Sequence, residues 1–344
     1  MTATTESLPK WSRAHGEPVL PVQIRSCPAD FQVVERLPFE ASGGGEHDLV
    51  EVRKTGANTD WVARRLAKHA RVPVRDVGFA GLKDRHAVTT QYFSVRRATG
   101  EGTDWSSFSA PGVEILGVER HARKLRRGAH SMNVFLLVAR ADGIEDHRDA
   151  IGRRWAAIAA RGVPNYFGPQ RFGRGGANVA QAREVLAGKR VRRDTRSLAL
   201  SAGRSLLFNE ILSARVADGS WEHILAGEIA NLDGSRSVFS VDEPTPQLNE
   251  RCAGFDIHPT GTLWGPGAPL ASGDVAELEL EAVRSYPDIA DGLAAAGPEA
   301  ASRPLRLRPQ DADAEFAPGC VRLSFSLPPG AFATSVIREL FNVR

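Results

Sequence analysis

The chain has 344 residues, of which 42% are hydrophobic and 25% charged, and its formal net charge is +3. This composition predicts a soluble globular protein of about two domains, and no apolar run reaches the roughly 18 residues that a membrane helix needs. The N-terminus lacks the basic start and apolar core of a signal peptide. Three widely spaced cysteines argue against a disulfide framework and predict a cytoplasmic protein.

The first part of the chain is predicted to be rich in strands. Residues 1–20 have no strong periodicity and are expected to form a loose tail. Asn58 or Thr59 is suited to cap a helix whose apolar residues recur at helical spacing from residue 62 to residue 70. Strands are predicted at residues 30–35, 49–53, 91–96 and 133–140.

Helical periodicity dominates the middle of the chain. Gly162 is a plausible stop for the first of these helices, and Asn178 a plausible cap for the second. Residues 231–275 are rich in glycine and proline and are expected to be irregular, whereas residues 271–304 are predicted to be helical in parts. The helices are predicted at residues 151–162, 178–188 and 204–217.

The last part of the chain carries a clear strand signal. From Val321 to Leu327, apolar and polar residues alternate with the period of a half-buried strand. Such a strand needs a partner, and the predicted strands lie before residue 140. We therefore expect the C-terminal segment to return to the first domain, with the middle of the chain as an insertion.

One short run suggests chemistry. Asp84 lies between the cations Lys83 and Arg85, a few residues after Gly81. Neighbouring positive charge favours an ionised carboxylate, and such a carboxylate on a tight connection is suited to act as a nucleophile. The same pattern is also typical of an ordinary solvated turn, so the residues alone leave both interpretations open.

Three further runs accompany this one in a fixed order. Together with Gly-Leu-Lys-Asp-x-x-Ala-x-Thr-x-Gln, they resemble the tRNA pseudouridine synthase D (TruD) family over about residues 28–341. The resemblance implies an α+β fold, in which a pseudouridine synthase-type catalytic domain with a mixed or antiparallel sheet carries an α/β insertion domain. The catalytic domain is expected at residues 1–160 and 305–344, and the insertion at 161–304. The four runs are at residues 81–91, 165–173, 204–209 and 325–335.

The resemblance also implies an activity. The chain would isomerise a uridine of tRNA to pseudouridine, at uridine 13 of the D-arm, through an aspartate nucleophile. This reaction involves no redox change, so neither an organic cofactor nor a metal is expected, and no obligate protein partner is evident in what is expected to be a monomer. Two alternatives stay open, namely a non-catalytic RNA-binding or RNA-folding protein and a synthase that acts on another RNA.

The resemblance assigns roles to two residues near the proposed nucleophile Asp84. Arg25 occupies a position where relatives place a basic residue, and it is expected to pair with the carboxylate; otherwise it is a surface cation. Phe31 is expected to contact the target nucleotide, but strand alternation alone would make it a core residue.

Three more residues complete the predicted uridine site. Asn133 is expected to hydrogen-bond the edge of the base, and Phe135 to stack on it. Phe332 would line the same pocket, although it would equally serve as a hydrophobic staple for a helix that Thr334 caps. Nearby His130 is expected to be structural.

Two clusters of cations suggest contacts with RNA. Residues 120–127 and 189–196 each carry five lysines or arginines. Such clusters neutralise several phosphates at once, and they are also found on ordinary solvated faces.

Overall fold

The structure is a computed structural model that describes residues 7–97 and 102–344. Its contacts divide the chain into two compact units. The Asp84 unit comprises residues 19–155, 309–330 and 341–344. The helical unit comprises the described residues up to Pro18, together with 156–308 and 331–340. Both units are therefore discontinuous in sequence.

Strands and helices alternate along much of the chain. The strands are β1 (Pro21–Ile24), β2 (Phe31–Arg36), β3 (His47–Thr55), β4 (Val77–Phe79), β5 (Val88–Arg96), β6 (Val113–His121), β7 (Met132–Arg140), β8 (Val163–Pro164), β9 (Glu228–Leu232), β10 (Val238–Val241), β11 (Ile257–Leu263), β12 (Ala301–Pro304), β13 (Arg306–Leu307), β14 (Gln310–Ala317), β15 (Cys320–Leu327) and β16 (Asn342–Val343). The helices are α1 (Thr59–His69), α2 (Arg148–Arg161), α3 (Ala177–Leu186), α4 (Arg193–Ala217), α5 (Pro246–Ala253), α6 (Gly273–Val283), α7 (Pro287–Ala296) and α8 (Ala333–Leu340).

A mixed sheet forms the Asp84 unit. Its strands follow the order β14-β15-β7-β2-β5-β3-β6, with β4 paired to β5 and β1 paired to both β7 and β16. The β2–β5 pair is parallel, whereas most neighbours are antiparallel. Strand β15 pairs with β7 along its whole length, from Cys320 to Leu327. The C-terminal strand thus returns to the early sheet, as its alternation predicted.

The register of this sheet gathers polar residues on one face. Glu35 of β2 lies opposite Asn133 of β7, and Val33 lies opposite Phe135. Because side chains of alternate residues share a face, Phe31 joins this set as well. The sheet therefore brings a carboxylate, an amide and two aromatic rings to one surface.

Helix α1 covers part of the sheet. Its buried Val62 and Leu66 pack in one cluster with Val50 and Val52 of β3 and Phe93 of β5. Burying an apolar side chain of this size contributes about 1.5–3 kcal/mol, so this layer anchors the strands that lead to Asp84. The helix runs where its periodicity predicted, within one or two residues at either end.

The helical unit has its own core. Helix α4 carries Leu207, Phe208 and Ile211 into a buried cluster, which Phe172 also joins. A four-stranded sheet in the order β10-β9-β11-β12 completes the unit. Helix α4 begins at Arg193, well before the predicted start at residue 204.

Three expectations about this unit were wrong. Residues 231–275 are not irregular, because strands β10 and β11 and helix α5 lie within them. Gly176 rather than Asn178 is the N-cap of α3, and the Asn178 amide instead donates to the carbonyl oxygen of Arg171 at 3.1 Å. The described part of the predicted loose tail is packed, since Trp11 joins the core and donates its ring N–H to Glu210 at 2.9 Å.

The remainder of that predicted tail, residues 1–6, lies outside the described residues. Among the helices of the described chain, none has both the length and the apolar composition required to cross a bilayer.

Candidate functional site

Asp84 lies in the loop between β4 and β5. Its Oδ1 accepts a hydrogen bond from the backbone N–H of His86 at 2.9 Å, which closes a tight local turn. The side chain is 34% exposed. The carboxylate is thus oriented by its own loop and still accessible to a ligand.

Lys54, which is buried at the end of β3, holds the backbone of this loop. Its Nζ donates to the carbonyl oxygens of Ala57 and Asp84 at 2.8 Å each, and the carbonyl oxygen of Lys83 is 3.5 Å away. Burial lowers the pKa of Lys54 from 10.5 to about 8, although the charge of Asp84 opposes this change. Lys54 therefore positions the peptide groups on either side of the Asp84 carboxylate.

Lys83 points away from its neighbour in sequence. Its Nζ forms an ion pair with Glu35 Oε2 at 2.8 Å, and the two side chains are only 6% and 0% exposed. Nζ also donates to Asn133 Oδ1, and the Lys83 backbone N–H donates to Thr59 Oγ1 at 3.0 Å. Lys83 ties the loop to the polar face of the sheet.

Arg25 is the cation that pairs with Asp84. One of its terminal nitrogens lies 2.9 Å from Asp84 Oδ2, and both side chains are 34% exposed. The guanidinium carbon also lies 4.0 Å from the centre of the Phe31 ring, a cation–π contact. The backbone of Arg25 has a φ of 64°, a left-handed conformation that is strained in a non-glycine residue and is often found at functional sites.

Lys83 and Arg85, which flank Asp84 in sequence, direct their side chains to other partners. Lys83 is engaged by Glu35, and Arg85 donates its Nε to the carbonyl oxygen of Gly56 at 3.2 Å. The guanidinium in contact with the Asp84 carboxylate comes from a distant part of the chain, Arg25.

A chain of side-chain hydrogen bonds holds the segment of the loop that leads to Asp84. Thr59 Oγ1 donates to Gln91 Oε1 at 3.0 Å, and Gln91 Nε2 donates to the carbonyl oxygen of Gly81 at 3.3 Å. Thr59 and Gln91 are both buried. The start of α1 and strand β5 therefore hold the segment that precedes Asp84.

The two phenylalanines of the predicted site are buried. Phe31 is 4% exposed and Phe135 is 7% exposed. Their rings meet edge to face, with centroids 6.2 Å apart, and Phe135 stacks on Phe325 of β15 at 5.5 Å. Both rings belong to the core of the unit, and Phe31 presents its face to Arg25.

Asn133 and His130 form a polar pair beside Lys83. Asn133 Nδ2 lies 3.2 Å from His130 Nε2, and Asn133 Oδ1 accepts from Lys83. Burial, followed by the charge of Lys83, lowers the pKa of His130. A neutral His130 accepts this hydrogen bond through Nε2. The Asn133 amide keeps a second N–H for another acceptor.

Phe332 belongs to the helical unit, where its ring lies 6.1 Å from that of Phe167. It immediately precedes α8, which begins at Ala333. Thr334 is therefore inside the helix rather than at its cap, contrary to the sequence-based expectation. The structure brings Asp84, Arg25, Phe31, Asn133 and Phe135 together in one unit, and places Phe332 in the other.

Lys54 and Glu35 were not singled out from the sequence. A signal for Lys54 was nevertheless present, because it follows Val50 and Val52 at alternate positions of one strand. That spacing puts its side chain on the buried face. A lysine at an inward position of a strand needs partners, and here they are the carbonyl groups of the Asp84 loop.

No group of three or more histidine, cysteine or acidic side chains suited to a metal ion occurs in residues 7–97 and 102–344.

Comparison with known proteins adds a family to this geometry. The family model described as tRNA pseudouridine synthase D (TruD) matches residues 14–181 and 182–340. Proteins named tRNA pseudouridine synthase D from Methylococcus capsulatus and Aeromonas hydrophila are each 46% identical to this chain, covering 95% of it and 93% of their own length.

The fold is shared with a solved structure. A crystal structure from Methanosarcina mazei, named for the same family, superposes with a TM-score of 0.77 at 20% identity. It covers 98% of this chain and 97% of its own. The predicted α+β fold and the resemblance carried by the four sequence runs are confirmed. The chain belongs to the tRNA pseudouridine synthase D family.

Proposed function

We propose that this tRNA pseudouridine synthase isomerises uridine 13 of the D-arm, with Asp84 as the nucleophile. Membership of the family supports the isomerase class and the tRNA substrate. The observation that carries the choice of Asp84 is its ion pair with Arg25 at 2.9 Å on a side chain that remains one-third exposed. A guanidinium at this distance orients the carboxylate and leaves it accessible to attack the substrate.

The reaction breaks the bond between N1 of uracil and C1′ of the ribose, and then joins C5 to C1′. The proton on C5 is lost and N1 gains one, so the product is an isomer of the substrate. A covalent intermediate on Asp84 divides this rearrangement into two easier steps. The detached base must be kept in place and shielded from water throughout.

The neighbouring residues are proposed to serve this chemistry in different ways. Arg25 orients the carboxylate, and the ring of Phe31 packs against the Arg25 guanidinium. Asn133 offers its remaining amide N–H to the uracil edge. Phe135 and Phe332 are each proposed to contribute apolar contacts to the base.

The two units are proposed to divide the work as the sequence suggested. The catalytic domain is proposed at residues 1–160 and 305–344, which include Asp84; of these, residues 7–18, 156–160, 305–308 and 331–340 belong to the helical unit. The family-specific insertion, residues 161–304, is assigned to RNA recognition. Its second cluster of cations, residues 189–196, supports this role.

Release of tritium from tRNA labelled at uridine C5 tests the proposal. Wild type, Asp84→Asn and the exposed control Asp142→Asn are compared in the same assay. Release by wild type and Asp142→Asn, with none by Asp84→Asn, is the expected result, because the amide cannot act as the nucleophile. Turnover by Asp84→Asn would exclude this residue as the nucleophile.

Mapping of the modified nucleotide then tests the position. Reverse-transcription mapping of pseudouridine in the product should identify uridine 13. Tight tRNA binding without release by the wild type would favour a non-catalytic RNA-binding protein or a different RNA substrate.

A further inference from the structure

A second concave surface lies in the Asp84 unit, apart from the carboxylate. It has a volume of about 1170 Å³ and lies between the segment after β2, strand β4 and the segment after β6. We call it the basic groove. The residues that matter for its chemistry are Phe39, Phe79, His121, Arg123, Arg126 and Arg127.

The charge of the basic groove is strongly positive. Four lysines or arginines line it, within residues 123–127, against one carboxylate, that of Glu40. Within residues 7–97 and 102–344, the side chains of Arg123 and Arg126 make no ion pair or hydrogen bond. Uncompensated cations in a concave surface concentrate positive potential and attract phosphate groups.

The groove also offers flat surfaces. The Phe39 ring stacks on His121 with centroids 5.0 Å apart and planes 9° from parallel, and Phe39 is 38% exposed. The guanidinium of Arg127 lies 3.8 Å from the centre of the Phe79 ring. Exposed aromatic rings and guanidinium planes are the surfaces on which unpaired bases stack.

The basic groove lies close to the proposed nucleophile, Asp84, both along the chain and through a backbone hydrogen bond. The N–H of Gly128 donates to the carbonyl oxygen of Ala80 at 2.7 Å, so the basic segment is tied to the start of the Asp84 loop. Phe79 precedes Asp84 by few enough residues that their Cα atoms are at most about 18 Å apart. An RNA whose uridine reaches Asp84 therefore has adjacent nucleotides within reach of the groove.

We propose that the basic groove binds an unpaired stretch of the substrate RNA next to the target uridine. Phosphates lie on Arg123 and Arg126, and a base stacks on the exposed face of Phe39. The volume exceeds that of an ordinary small-ligand pocket, about 300–1,000 Å³, which fits a short stretch of chain better than a single nucleotide. This inference rests on the proposed function, because it takes the substrate to be RNA.

Salt dependence of tRNA binding tests the phosphate contacts. The double variant Arg123→Ala/Arg126→Ala is compared with Arg153→Ala/Arg236→Ala, which removes two exposed arginines elsewhere. The slope of log Kd against log salt should fall by about 1.4 for the groove variant, at about 0.7 per single-strand phosphate, and stay at the wild-type value for the control. A groove variant with the wild-type slope would overturn the proposal.

Abasic substitution tests the stacked base. Removal of one base among the unpaired nucleotides next to the target should weaken binding by wild type about fivefold to a hundredfold. In Phe39→Ala that same substitution should have little further effect, because the stacking partner is already missing. Equal losses in both proteins would contradict the assignment.

The proposed function and the basic-groove proposal can each be rejected without rejecting the other. These binding measurements need no turnover, and thermal melting checks that each variant is folded. Absence of tritium release by wild type would reject the proposed isomerisation of tRNA uridine 13, whatever the groove does. Release by wild type, with unchanged salt slopes and abasic effects in the groove variants, would reject the groove alone.

Discussion

Two ion pairs formed by adjacent residues differ in one respect. Lys83–Glu35 and Arg25–Asp84 have nearly the same length, 2.8 Å and 2.9 Å. The first is almost completely buried, with 6% and 0% exposure, whereas both side chains of the second are 34% exposed. The chain therefore turns from interior to surface within a single peptide.

The difference assigns the two pairs to different tasks. A buried pair pays a large desolvation penalty and is intolerant of losing one partner, so it determines where the loop lies. A pair that is one-third exposed contributes about 0–1 kcal/mol to stability, so its role is to orient a carboxylate that a ligand can reach. Placement and chemistry are thus carried by neighbouring but separate contacts.

Loss of the buried cation should have the largest effect on stability. Lys83→Met leaves Glu35 buried without its partner, and we expect a loss of about 3–5 kcal/mol in the free energy of unfolding. Urea denaturation measures it. The double variant Lys83→Met/Glu35→Gln removes both charges and should recover a large part of the loss. A loss below about 1 kcal/mol in the single variant would contradict the structural role of this pair.

Loss of Lys54 should separate the effect of the position of the Asp84 loop from the effect of the carboxylate charge. Lys54→Met removes the donor to the Asp84 and Ala57 carbonyl oxygens without touching the carboxylate. We expect kcat to fall about a hundredfold, as for a misplacement of roughly 1 Å, with tRNA affinity retained. Single-turnover kinetics and equilibrium binding provide the two numbers. A rise in Kd with kcat unchanged would mean that Lys54 does not position the nucleophile.

The pH dependence should follow the same residue. Because the pKa of Lys54 is lowered from 10.5 to about 8, its ammonium loses a proton as the pH rises through about 8. Turnover should therefore decline about tenfold per pH unit above this value, as far as the charged form is required. Lys54→Arg, which stays charged, should lack this decline if it remains active; the same decline in that variant would assign it to another group.

As the pH rises above about 8, the free energy of unfolding should increase, whereas turnover falls. The folded state disfavours the charged form of Lys54, so below pH 8 the full cost of burying its ammonium is subtracted from the free energy of unfolding. It is relieved between pH 8 and 10.5, where the folded protein binds fewer protons at this site than the unfolded chain does. Comparing wild-type and Lys54→Met unfolding over this range isolates the contribution of Lys54.

Change at the exposed pair should have the smallest effect on stability. Arg25→Lys keeps the charge but loses the planar group that lies over Phe31, and we expect a change below about 1 kcal/mol in unfolding. Turnover should nevertheless fall about tenfold, which corresponds to an increase of about 1.4 kcal/mol in the activation free energy. Arg53→Lys, at the exposed Arg53–Glu114 pair of 3.0 Å, is the matched control and should change neither quantity. Equal turnover in both variants would leave Arg25 as a surface cation.

Periodicity predicted the parts of the fold that it controls directly. Strands β2, β7 and β15 alternate because one face of the sheet is buried and the other is not. The packed segment around Trp11 had no periodic signal, because a few large side chains fix it against the helical unit. Residues 231–275 were misjudged because glycine and proline occur within and between the short strands there.

The site was only partly predictable for a similar reason. Asp84 and Arg25 were found through the motifs that surround them. Contacts between strands decide which cation reaches the carboxylate, and such contacts are not local in sequence. Local charge pointed to Lys83 as a neighbour of the carboxylate, whereas the fold gives Lys83 to Glu35. Lys54 acts through backbone carbonyls, which every residue has and no motif marks.

The pairing of β1 with β16 has a consequence for the timing of folding. Pro21 and Val22 pair with Asn342 and Val343, and β1 leads directly into Arg25. During synthesis at about 5–20 residues per second, Asp84 and β7, which pairs with Gln23 and Ile24, leave the ribosome roughly ten seconds or more before β16 exists. The half of β1 next to Arg25 can therefore pair early, and the half that contains Pro21 and Val22 completes its pairing last.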